Sequence, residues 1–458
     1  MKSQMRGQLQ LLRGRFDYQT QRLSKIRSHR TETFASMLAG IGALSYLFRE
    51  TFLGPVRYYL FQYHFDAIWF APDVLALSFM LFYVLRAILN PSGRFPATIF
   101  TAAILISSLT GLVVSGSFYA WLSGLKLFCP IFVGLFLEPR FFWKKSVVTI
   151  TLALLILSIL GIYLSSVMSF PWADQSFDVF GQTRVAAVSR WIGAESRFFG
   201  FSADNTAAAF KCLIFYVILS AALGRKFAIA LFLPTFLAIE MTTSRTAVIS
   251  LLLFGGVEFA EYAGKFTGIL ARQNLWVRLV RFCPLAIGVP ILTVYYFSVT
   301  VVQYQLQLYS LVDRSTNAWV LPFQYLNELV PTSILTGFGI GAIGGPMLFS
   351  RLSAYFSSVD NFILFSFLMF GPLSFLFVFF APAKVIATGD AMKMMIYFVL
   401  TIFGITVAGY GDGLFVLLYG YVVSGLLNPS LHSKASRPLA NLHSRRLMPE
   451  RIGAFEGS

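Results

Sequence analysis

Residues 227–256, "FAIALFLPTFLAIEMTTSRTAVISLLLFGG", decide the fold, because two apolar runs meet there at a short polar joint. With its flanks, each run is long enough to cross most of a bilayer, for which a helix needs about 20 mainly apolar residues. Glu240 and Arg245 stand at the joint. An ionisable side chain at membrane depth is costly and by default marks a functional site, so the role of Arg245 depends on the side of the membrane that the joint faces.

The composition of the whole chain points the same way. Of the 458 residues, 57% are hydrophobic and 12% are charged, against about 25% charged residues in soluble domains. The apolar runs are continuous over about 17–25 residues, unlike the short alternating segments of an outer-membrane barrel. The sequence therefore predicts an all-α polytopic membrane protein.

Twelve spans are predicted between residues 33 and 427, after a basic cytoplasmic segment at 1–32 and before a basic cytoplasmic tail at 428–458. The apolar run after residue 32 has no small-residue cleavage pattern, so we expect an uncleaved first span rather than a signal peptide. The predicted spans are 33–53, 67–89, 96–114, 118–137, 146–168, 206–223, 227–243, 246–263, 283–302, 361–380, 394–408 and 413–427.

The distribution of lysine and arginine sets the orientation. With a cytoplasmic N-terminus, most of the 36 basic residues fall in the inner segments, as the positive-inside rule requires. The net charge of +16 is then explained by the orientation of the protein in the membrane and by contact with anionic lipid. We therefore expect no nucleic-acid partner. Two long loops, 169–205 and 303–360, lie outside, and the stretches 318–330 and 345–358 are expected to form short interfacial helices.

Ionisable residues gather in the outer halves of the predicted spans. Asp73, Lys126 and Lys211 each lie within about nine residues, or about 13 Å, of an outer span end, and Glu240 and Arg245 lie near one. This one-sided set favours a water-accessible cavity that opens outward and is closed toward the cytoplasm. The alternative is that Lys126 and Lys211 extend to the outer lipid headgroups.

The first outer loop carries three arginines at intervals of six and seven residues, Arg184, Arg190 and Arg197. Guanidinium groups offer planar, forked donors suited to phosphate or carboxylate, so with Arg245 these arginines form a candidate diphosphate site. Alternatively, they pair with carboxylates of the loop or touch lipid phosphates. Asn205 begins span six, where helix capping is an alternative to substrate binding.

The second outer loop combines Arg314 and Trp319 with a glycine-rich stretch at 337–345, and it ends at Asp360 and Asn361. The glycines permit close backbone approach or unusual dihedral angles, but "GFGIGAIGG" is no dinucleotide fingerprint, because no βαβ unit surrounds it. Asp360 is a candidate for a catalytic role and Trp319 for substrate binding. Capping of span ten by Asp360 and Asn361 and interfacial anchoring by Trp319 are the alternatives.

The sequence lacks the motifs that are typical of several kinds of enzyme. No cluster of histidine, cysteine and carboxylate residues has metal-ligand spacing, and neither a P-loop nor a G-x-S-x-G motif occurs. The sequence therefore predicts no bound metal and no cofactor. An outward-facing site has no access to nucleotide sugars or ATP, so we expect its activated substrates to be lipid-linked.

Four passages, in chain order, resemble the bacterial O-antigen polymerase and O-antigen ligase superfamily. They are "ESRFFGFSADNTAAAF" (195–210), "MTTSRTAVISLLLF" (241–254), "DRSTNAWVLPFQYLNELVPTSILTGFGIG" (313–341) and "VDNFILFSFLMFGPLSFLFVFF" (359–380). The resemblance covers about residues 35–425. It implies a C-type glycosyltransferase-like fold in the bacterial inner membrane and metal-independent, inverting transfer of an oligosaccharide from undecaprenyl diphosphate on the periplasmic side.

From the resemblance and the positions above, Asp360, Arg245 and Arg197 are the expected catalytic residues. We expect a chain-length regulator and a flippase of the same pathway as partners, besides membrane lipids. The expected substrate-binding residues are Arg184, Arg190, Arg314, Asn205, Asn361, Lys126, Lys211 and Trp319.

Other functions remain open. Ligases of this superfamily place a histidine before the asparagine at the end of the large loop, but Asp360 stands there and 303–360 holds no histidine. This difference favours a polymerase of O-antigen, capsule or exopolysaccharide repeats over a ligase that uses a lipid A-core acceptor. A lipid-linked sugar flippase shares the spans and the cavity charges, but alternating access needs groups exposed from both sides. A membrane scaffold leaves the one-sided charges unexplained.

Overall fold

The computed structural model describes residues 32–89, 95–179, 182–188, 190–192, 195–267, 272–299, 312–330 and 333–427. Nearly all of the predicted N-terminal segment and the whole predicted tail lie outside these residues, as do residues 303–311 of the second loop.

The described chain is predominantly helical, and each predicted span falls largely on one or two helices. By length and composition, six of the described helices are able to cross a membrane: Ala71–Leu89, Phe95–Ser115, Phe118–Phe136, Lys145–Val167, Asn205–Leu223 and Leu275–Tyr296. Three shorter helices are also apolar. The prediction of a helical membrane protein is therefore confirmed.

The helices are α1 (32–51), α2 (Leu53–Gln62), α3 (Asp66–Trp69), α4 (Ala71–Leu89), α5 (Phe95–Ser115), α6 (Phe118–Phe128), α7 (Pro130–Phe136), α8 (Lys145–Val167), α9 (Asn205–Leu223), α10 (Arg225–Met241), α11 (Arg245–Thr267), α12 (Arg272–Phe282), α13 (Gly288–Val299), α14 (Leu321–Leu329), α15 (Ser333–Thr336), α16 (Phe362–Phe370), α17 (Leu373–Ala387), α18 (Ala391–Gly404) and α19 (Gly413–Leu427).

The start of α9 corrects one expectation. Asp204, not Asn205, is the N-cap, since its carboxylate accepts a hydrogen bond from the backbone N–H of Ala207 at 2.8 Å. Asn205 is the first helical residue and is buried, and its amide donates to the backbone oxygen of Thr242 at 3.0 Å. An N-cap side chain must point back at the first turn, and the extended backbone of Asp204 allows this.

Helices α7 and α19 cross with their backbones in close contact at a pair of glycines. A Cβ atom on Gly134 would lie 2.0 Å from the backbone oxygen of Leu417, and one on Gly420 would lie 2.1 Å from that of Ile131. Small residues allow membrane helices to approach this closely. The crossing therefore fixes the last described helix against a helix from the early part of the chain.

The first long loop contains two β-hairpins that the sequence pattern did not predict. Strands β1 (Ser176–Val179) and β2 (Gln182–Val185) pair antiparallel, and so do β3 (Arg190–Ile192) and β4 (Glu195–Arg197). A small aromatic cluster, including Phe170 and Trp172, packs beneath them.

One described part of the second long loop, residues 337–344, packs between helices. Ile340 donates its N–H to the backbone oxygen of Ser107 at 2.9 Å, eight residues or about 12 Å before the end of α5. Residues 337–344 are buried. Of the two helices predicted in this loop, the one at 318–330 is present as α14. The one at 345–358 is not, because that stretch holds only the short 3-10 turns Gly345–Phe349 and Ser353–Tyr355.

Glycine makes this insertion possible, as Gly339 illustrates. Its φ is 91°, and a Cβ atom there would lie 2.1 Å from the backbone nitrogen of Gly111. We expect Gly339→Ala to destabilise the protein by about 1–3 kcal/mol, as overpacking does, seen as a lower melting temperature in detergent. Gly345 is the matched control, since its φ is not positive and a Cβ atom added there would meet nothing within 4 Å. Equal melting temperatures for the two alanine variants would contradict the tight insertion.

Candidate functional site

One cavity of about 250 Å³ lies where several helices begin or end, at the end of the bundle that carries both long loops. Glu50 comes from the end of α1, Asp204 from the start of α9, and Asp412 from the connection between α18 and α19. The second loop contributes Arg314 and Asp360. The remaining lining side chains include apolar groups such as Phe210, Phe403 and Phe415. The cavity therefore gathers ionisable groups from four distant parts of the chain against an apolar wall.

Asp360 presents a carboxylate to this cavity from a firmly held backbone. Its Oδ2 lies 3.9 Å from Nε of Arg314, and the two side chains are 42% and 30% exposed. The indole N–H of Trp319 donates to the backbone oxygen of Asp360 at 3.3 Å. This ion pair is half-open to solvent, so both groups are accessible to a ligand.

Asn361 has a structural role directly beside Asp360. Its side-chain oxygen accepts from the N–H of Leu364 at 2.9 Å and caps α16, while its Nδ2 donates to the backbone oxygen of Ile405 at 2.6 Å. The side chain is fully buried. Asn361 thus ties the end of the second loop to the connection that carries Asp412, and its capping alternative is confirmed.

Lys211 forms a buried ion pair with Asp412 behind the cavity wall. Its ammonium contacts Oδ2 of Asp412, with side-chain exposures of 1% and 16%. Oδ1 of Asp412 accepts from the N–H groups of Leu414 and Phe415 at the start of α19. Both oxygens of Asp412 are therefore engaged, and Lys211 neither reaches a headgroup nor lines the cavity in this arrangement.

A second run of ion pairs leads away from the cavity at Glu50. Arg49 contacts Glu50 and Asp73, each at 2.9 Å, and Lys126 contacts the same Asp73 oxygen at 3.4 Å. The hydroxyl of Tyr46 donates to the other oxygen of Asp73 at 2.9 Å. A Cβ atom on Gly413 would lie 2.9 Å from Oε1 of Glu50, which places Glu50 beside Asp412. Lys126 is paired here rather than extended alone toward a headgroup.

The other predicted arginines lie on the hairpins of the first loop and at the start of α11. Arg190 and Arg197 face each other across a hairpin, and Arg184 is opposite Phe177 in the other hairpin. Arg245 begins α11 and is exposed. Of the arginines predicted to form the site, only Arg314 is among the described residues that line the cavity.

One hydrogen bond near each of Arg197 and Arg245 shows where its segment packs. Phe198 donates its N–H to the backbone oxygen of Met241 at 3.5 Å, which brings the end of β4 to the end of α10. Thr246, next to Arg245, hydrogen-bonds through its hydroxyl to Thr406, which lines the cavity. Arg245 is thus next to a residue that contacts the cavity lining, whereas the contact next to Arg197 is to Met241, which is not among the described residues that line the cavity.

Three charged residues at or beside the cavity were not predicted from the sequence: Arg49, Glu50 and Asp412. All three stand at predicted span ends, where a charge is ordinarily explained by contact with water or headgroups. The available signal was that they belong to the same ends of the predicted spans as Asp73, Lys126 and Lys211, the ends predicted to face outward.

Within residues 32–427, so far as the structure describes them, no group of three or more histidine, cysteine, aspartate and glutamate side chains is placed to hold a metal ion. The arrangement offers instead an accessible carboxylate, Asp360, with an arginine partner, beside other charged groups that are paired with one another. No family model, curated protein or solved structure matches the chain.

Proposed function

We propose that this protein polymerises oligosaccharide repeat units that are linked to undecaprenyl diphosphate, on the periplasmic face of a bacterial inner membrane. The observation that carries the proposal is the half-exposed Asp360–Arg314 pair in a cavity at the loop-bearing end of the helices. A carboxylate able to accept a proton beside a cation able to face a phosphate suits transfer from a lipid diphosphate. The resemblance of residues 195–380 to the O-antigen polymerase and ligase superfamily supports the same function.

In the proposed reaction, a hydroxyl oxygen of the incoming repeat unit bonds to the anomeric carbon of the growing chain. The bond between that carbon and the diphosphate oxygen breaks, and its electron pair leaves with the lipid diphosphate. Asp360 orients the attacking hydroxyl and accepts its proton. Arg314, Arg197 and Arg245, with Arg184 and Arg190 behind them, stabilise the charge of the leaving diphosphate.

The cavity volume of about 250 Å³ is slightly below the range of about 300–1,000 Å³ for pockets that enclose a drug-sized ligand. It accommodates the reacting ends of two substrates, with the saccharide chains and the lipid tails outside it. Such a site suits a processive or repeated transfer to substrates of any length, since only their ends need to enter.

A transporter of lipid-linked sugars is the second candidate, favoured by the run of paired charges from Lys126 through Asp73 and Arg49 to Glu50. Intramembrane charges are frequent in ion and substrate pathways. The polymerase is preferred because Arg314 and Asp360 belong to a loop rather than to a spanning helix, and a transport path places its coordinating groups near the membrane midplane.

The deciding experiment is incubation of the purified protein with a synthetic repeat unit on undecaprenyl diphosphate. A ladder of longer lipid-linked products identifies a polymerase. Transfer to a lipid A-core acceptor identifies a ligase, in spite of the missing histidine in 303–360. If neither product forms, while the protein in liposomes moves the lipid-linked unit between leaflets, the transporter replaces the polymerase.

Arg245 offers a test of the diphosphate contacts. Lysine keeps the charge but loses the planar fork, so Arg245→Lys should lower the rate of polymer synthesis about tenfold, and Arg245→Ala more, because the developing charge loses oriented donors. Chelators should leave the wild-type rate unchanged. Arg281→Lys, an exposed arginine at the end of α12, is the control. If both Arg245 variants make polymer at the wild-type rate at matched protein levels, Arg245 serves only as a surface anchor.

A further inference from the structure

The start of α9 presents two polar groups to the cavity that have no partner elsewhere in the described chain. One oxygen of Asp204 accepts from the N–H of Ala207 and caps the helix, while its other oxygen has neither a hydrogen bond nor an ion pair there. The hydroxyl of Thr206, which also lines the cavity, is likewise without a described protein partner. Both side chains are partly exposed, so a ligand is able to reach them.

Glu50 adds a buried carboxylate to the same cavity. The residue is 3% exposed and lines the cavity, and Arg49 donates to its Oε1 from Nε and Nη2, at 3.3 Å and 2.9 Å. Within the described residues, Oε2 of Glu50 accepts no hydrogen bond. A buried acceptor without a donor costs free energy, so this oxygen suits a ligand that donates a hydrogen bond.

The connection between α18 and α19 offers backbone donors along another part of the lining. Residues 406–409 and 411 line the cavity. Among the described residues, no protein oxygen accepts from the N–H groups of 407–411, whereas Asp412 donates its own N–H to the backbone oxygen of Gly409 at 3.0 Å. The cavity therefore combines unused donors with unused acceptors.

Three phenylalanine rings form an apolar part of the lining beside these polar groups. The ring centre of Phe210 lies 5.0 Å from that of Phe403 and 5.6 Å from that of Phe415. Ligand pockets usually have mainly apolar walls with a few placed polar groups. A sugar ring fits such a wall, because its C–H faces are apolar and its hydroxyls both donate and accept hydrogen bonds.

Asp204 indicates which of the two substrates brings that sugar. Its carboxylate has no cationic partner among the described residues. The reacting sugar of the growing chain is bonded to a diphosphate, whose negative charge would lie near this carboxylate, and like charges repel each other. The terminal sugar of the incoming repeat unit carries no phosphate, so it is the better occupant.

We propose that the start of α9, Glu50 and the backbone of 407–411 bind the terminal sugar of the incoming repeat unit. Asp204 restricts this subsite to uncharged sugars, because a uronic acid there would bring its carboxylate against that of Asp204. The inference rests on the proposed function, since it names the acceptor of the same reaction. Asp204 is thus a specificity-determining residue, and Asp360 remains the proton acceptor.

The first test measures sugar binding without turnover. The full-length protein is placed in phosphatidylcholine nanodiscs, free of sugar detergents. The methyl glycosides of glucose, galactose and mannose, and those of the three matching uronic acids, are then titrated by saturation-transfer NMR. At least one neutral glycoside should bind, and its uronic acid at least tenfold more weakly. Asp204→Asn should bind the neutral glycoside about 10- to 100-fold more weakly, because a hydrogen bond to a charged group is lost, and should no longer discriminate against the uronic acid.

Two further variants complete the binding test. Asp390→Asn is the matched control, because Asp390 caps α18 through its carboxylate but is not among the described residues that line the cavity. Asparagine still caps a helix, and melting temperatures check that both variants are folded. Thr206→Val keeps the shape of the side chain without its hydroxyl, and should weaken binding of the neutral glycoside about three- to tenfold. Glu50 is left intact, because its loss would strand Arg49.

The polymer assay separates this subsite from the diphosphate contacts. A methyl glycoside of the repeat unit acts only as an acceptor, because it has no diphosphate to lose. Its hydroxyl oxygen bonds to the anomeric carbon of the chain, and undecaprenyl diphosphate leaves with the electron pair. Asp204→Asn should raise the KM for this acceptor about tenfold or more, with little change in kcat or in the KM for the lipid-linked donor. A rise in the donor KM alone would overturn the proposal.

The subsite and the polymerase proposal fail on different results. The subsite is overturned if no neutral glycoside binds, if Asp204→Asn binds it as tightly as Asp390→Asn does, or if the wild type binds the uronic acid equally well. If the wild-type protein makes no polymer, yet neutral-sugar binding depends on Asp204, the subsite stands and the polymerase proposal fails. If polymer forms with the same acceptor KM in Asp204→Asn and Asp390→Asn, the polymerase stands and the subsite fails.

Discussion

Replacement of Asp360 with asparagine is expected to lower the rate of polymer synthesis by about 10²- to 10⁴-fold, the range of general acid–base contributions. Asparagine has nearly the same size, and the N-cap of α16 is Asn361 rather than Asp360, so the helix is not disturbed. The indole of Trp319 contacts the backbone oxygen of residue 360 and remains bound. The change therefore removes the charge, the proton acceptor and the ionic contact with Arg314, while the size of the side chain is kept. It is measured as kcat on lipid-linked repeats, with little expected change in KM.

Asp313 supplies the matched control for this variant. It lies in the same loop, next to Arg314, and its exposed carboxylate accepts from Nδ2 of Asn317 at 2.7 Å, but it is not among the described residues that line the cavity. Asp313→Asn should retain nearly full activity. If Asp360→Asn polymerises as fast as Asp313→Asn, Asp360 is not the proton acceptor, and Glu50 becomes the carboxylate to change next.

Lys211→Met should produce the largest loss of stability among single side-chain changes in the site. Removal of one partner from a buried ion pair costs about 3–5 kcal/mol, because the other charge stays buried without compensation. Asp412 keeps 16% exposure and two backbone hydrogen bonds, which favours the lower end of that range. The expected result is a marked fall in melting temperature in detergent and in the fraction of protein recovered as a single species.

The double variant Lys211→Met with Asp412→Asn distinguishes a lost pair from lost packing. Asparagine still caps α19 and carries no charge, so we expect the double variant to regain most of the lost stability. Lys226→Met controls for methionine replacing an exposed lysine. If the single variant is as stable as the wild type, or the double variant is less stable than the single one, the Lys211–Asp412 ion pair does not stabilise the fold.

Local sequence patterns predicted the helical elements well for a definite reason. A spanning helix must satisfy its own backbone hydrogen bonds within an apolar run, so its limits are set by neighbouring residues. The predicted limits of helices were wrong where a contact with a distant part of the chain interrupts an apolar run. Span ten, for example, divides at Gly371, whose φ is 63° and whose lack of a side chain accommodates the backbone of Gly337.

The hairpins of the first loop were missed for a related reason. Strands of three or four residues give almost no periodic signal, and their stability comes from packing, as in the contact of Arg57 with Val185 and Phe177. The insertion of 337–344 was missed because the glycine pattern shows a capacity for close approach but not the partner, which is Gly111 in a helix more than 200 residues earlier.

The sequence by itself determined that this is a helical membrane protein, where its helices run, and that charges gather at one end of them, because hydrophobic length and residue type are local properties. Only the tertiary structure decided which charges meet. Lys211 and Asp412 are 201 residues apart in the chain, and Arg49, Asp73 and Lys126 come from three different helices. A buried charge needs a partner, but the partner is selected by how the helices pack, and packing depends on all the apolar surfaces together.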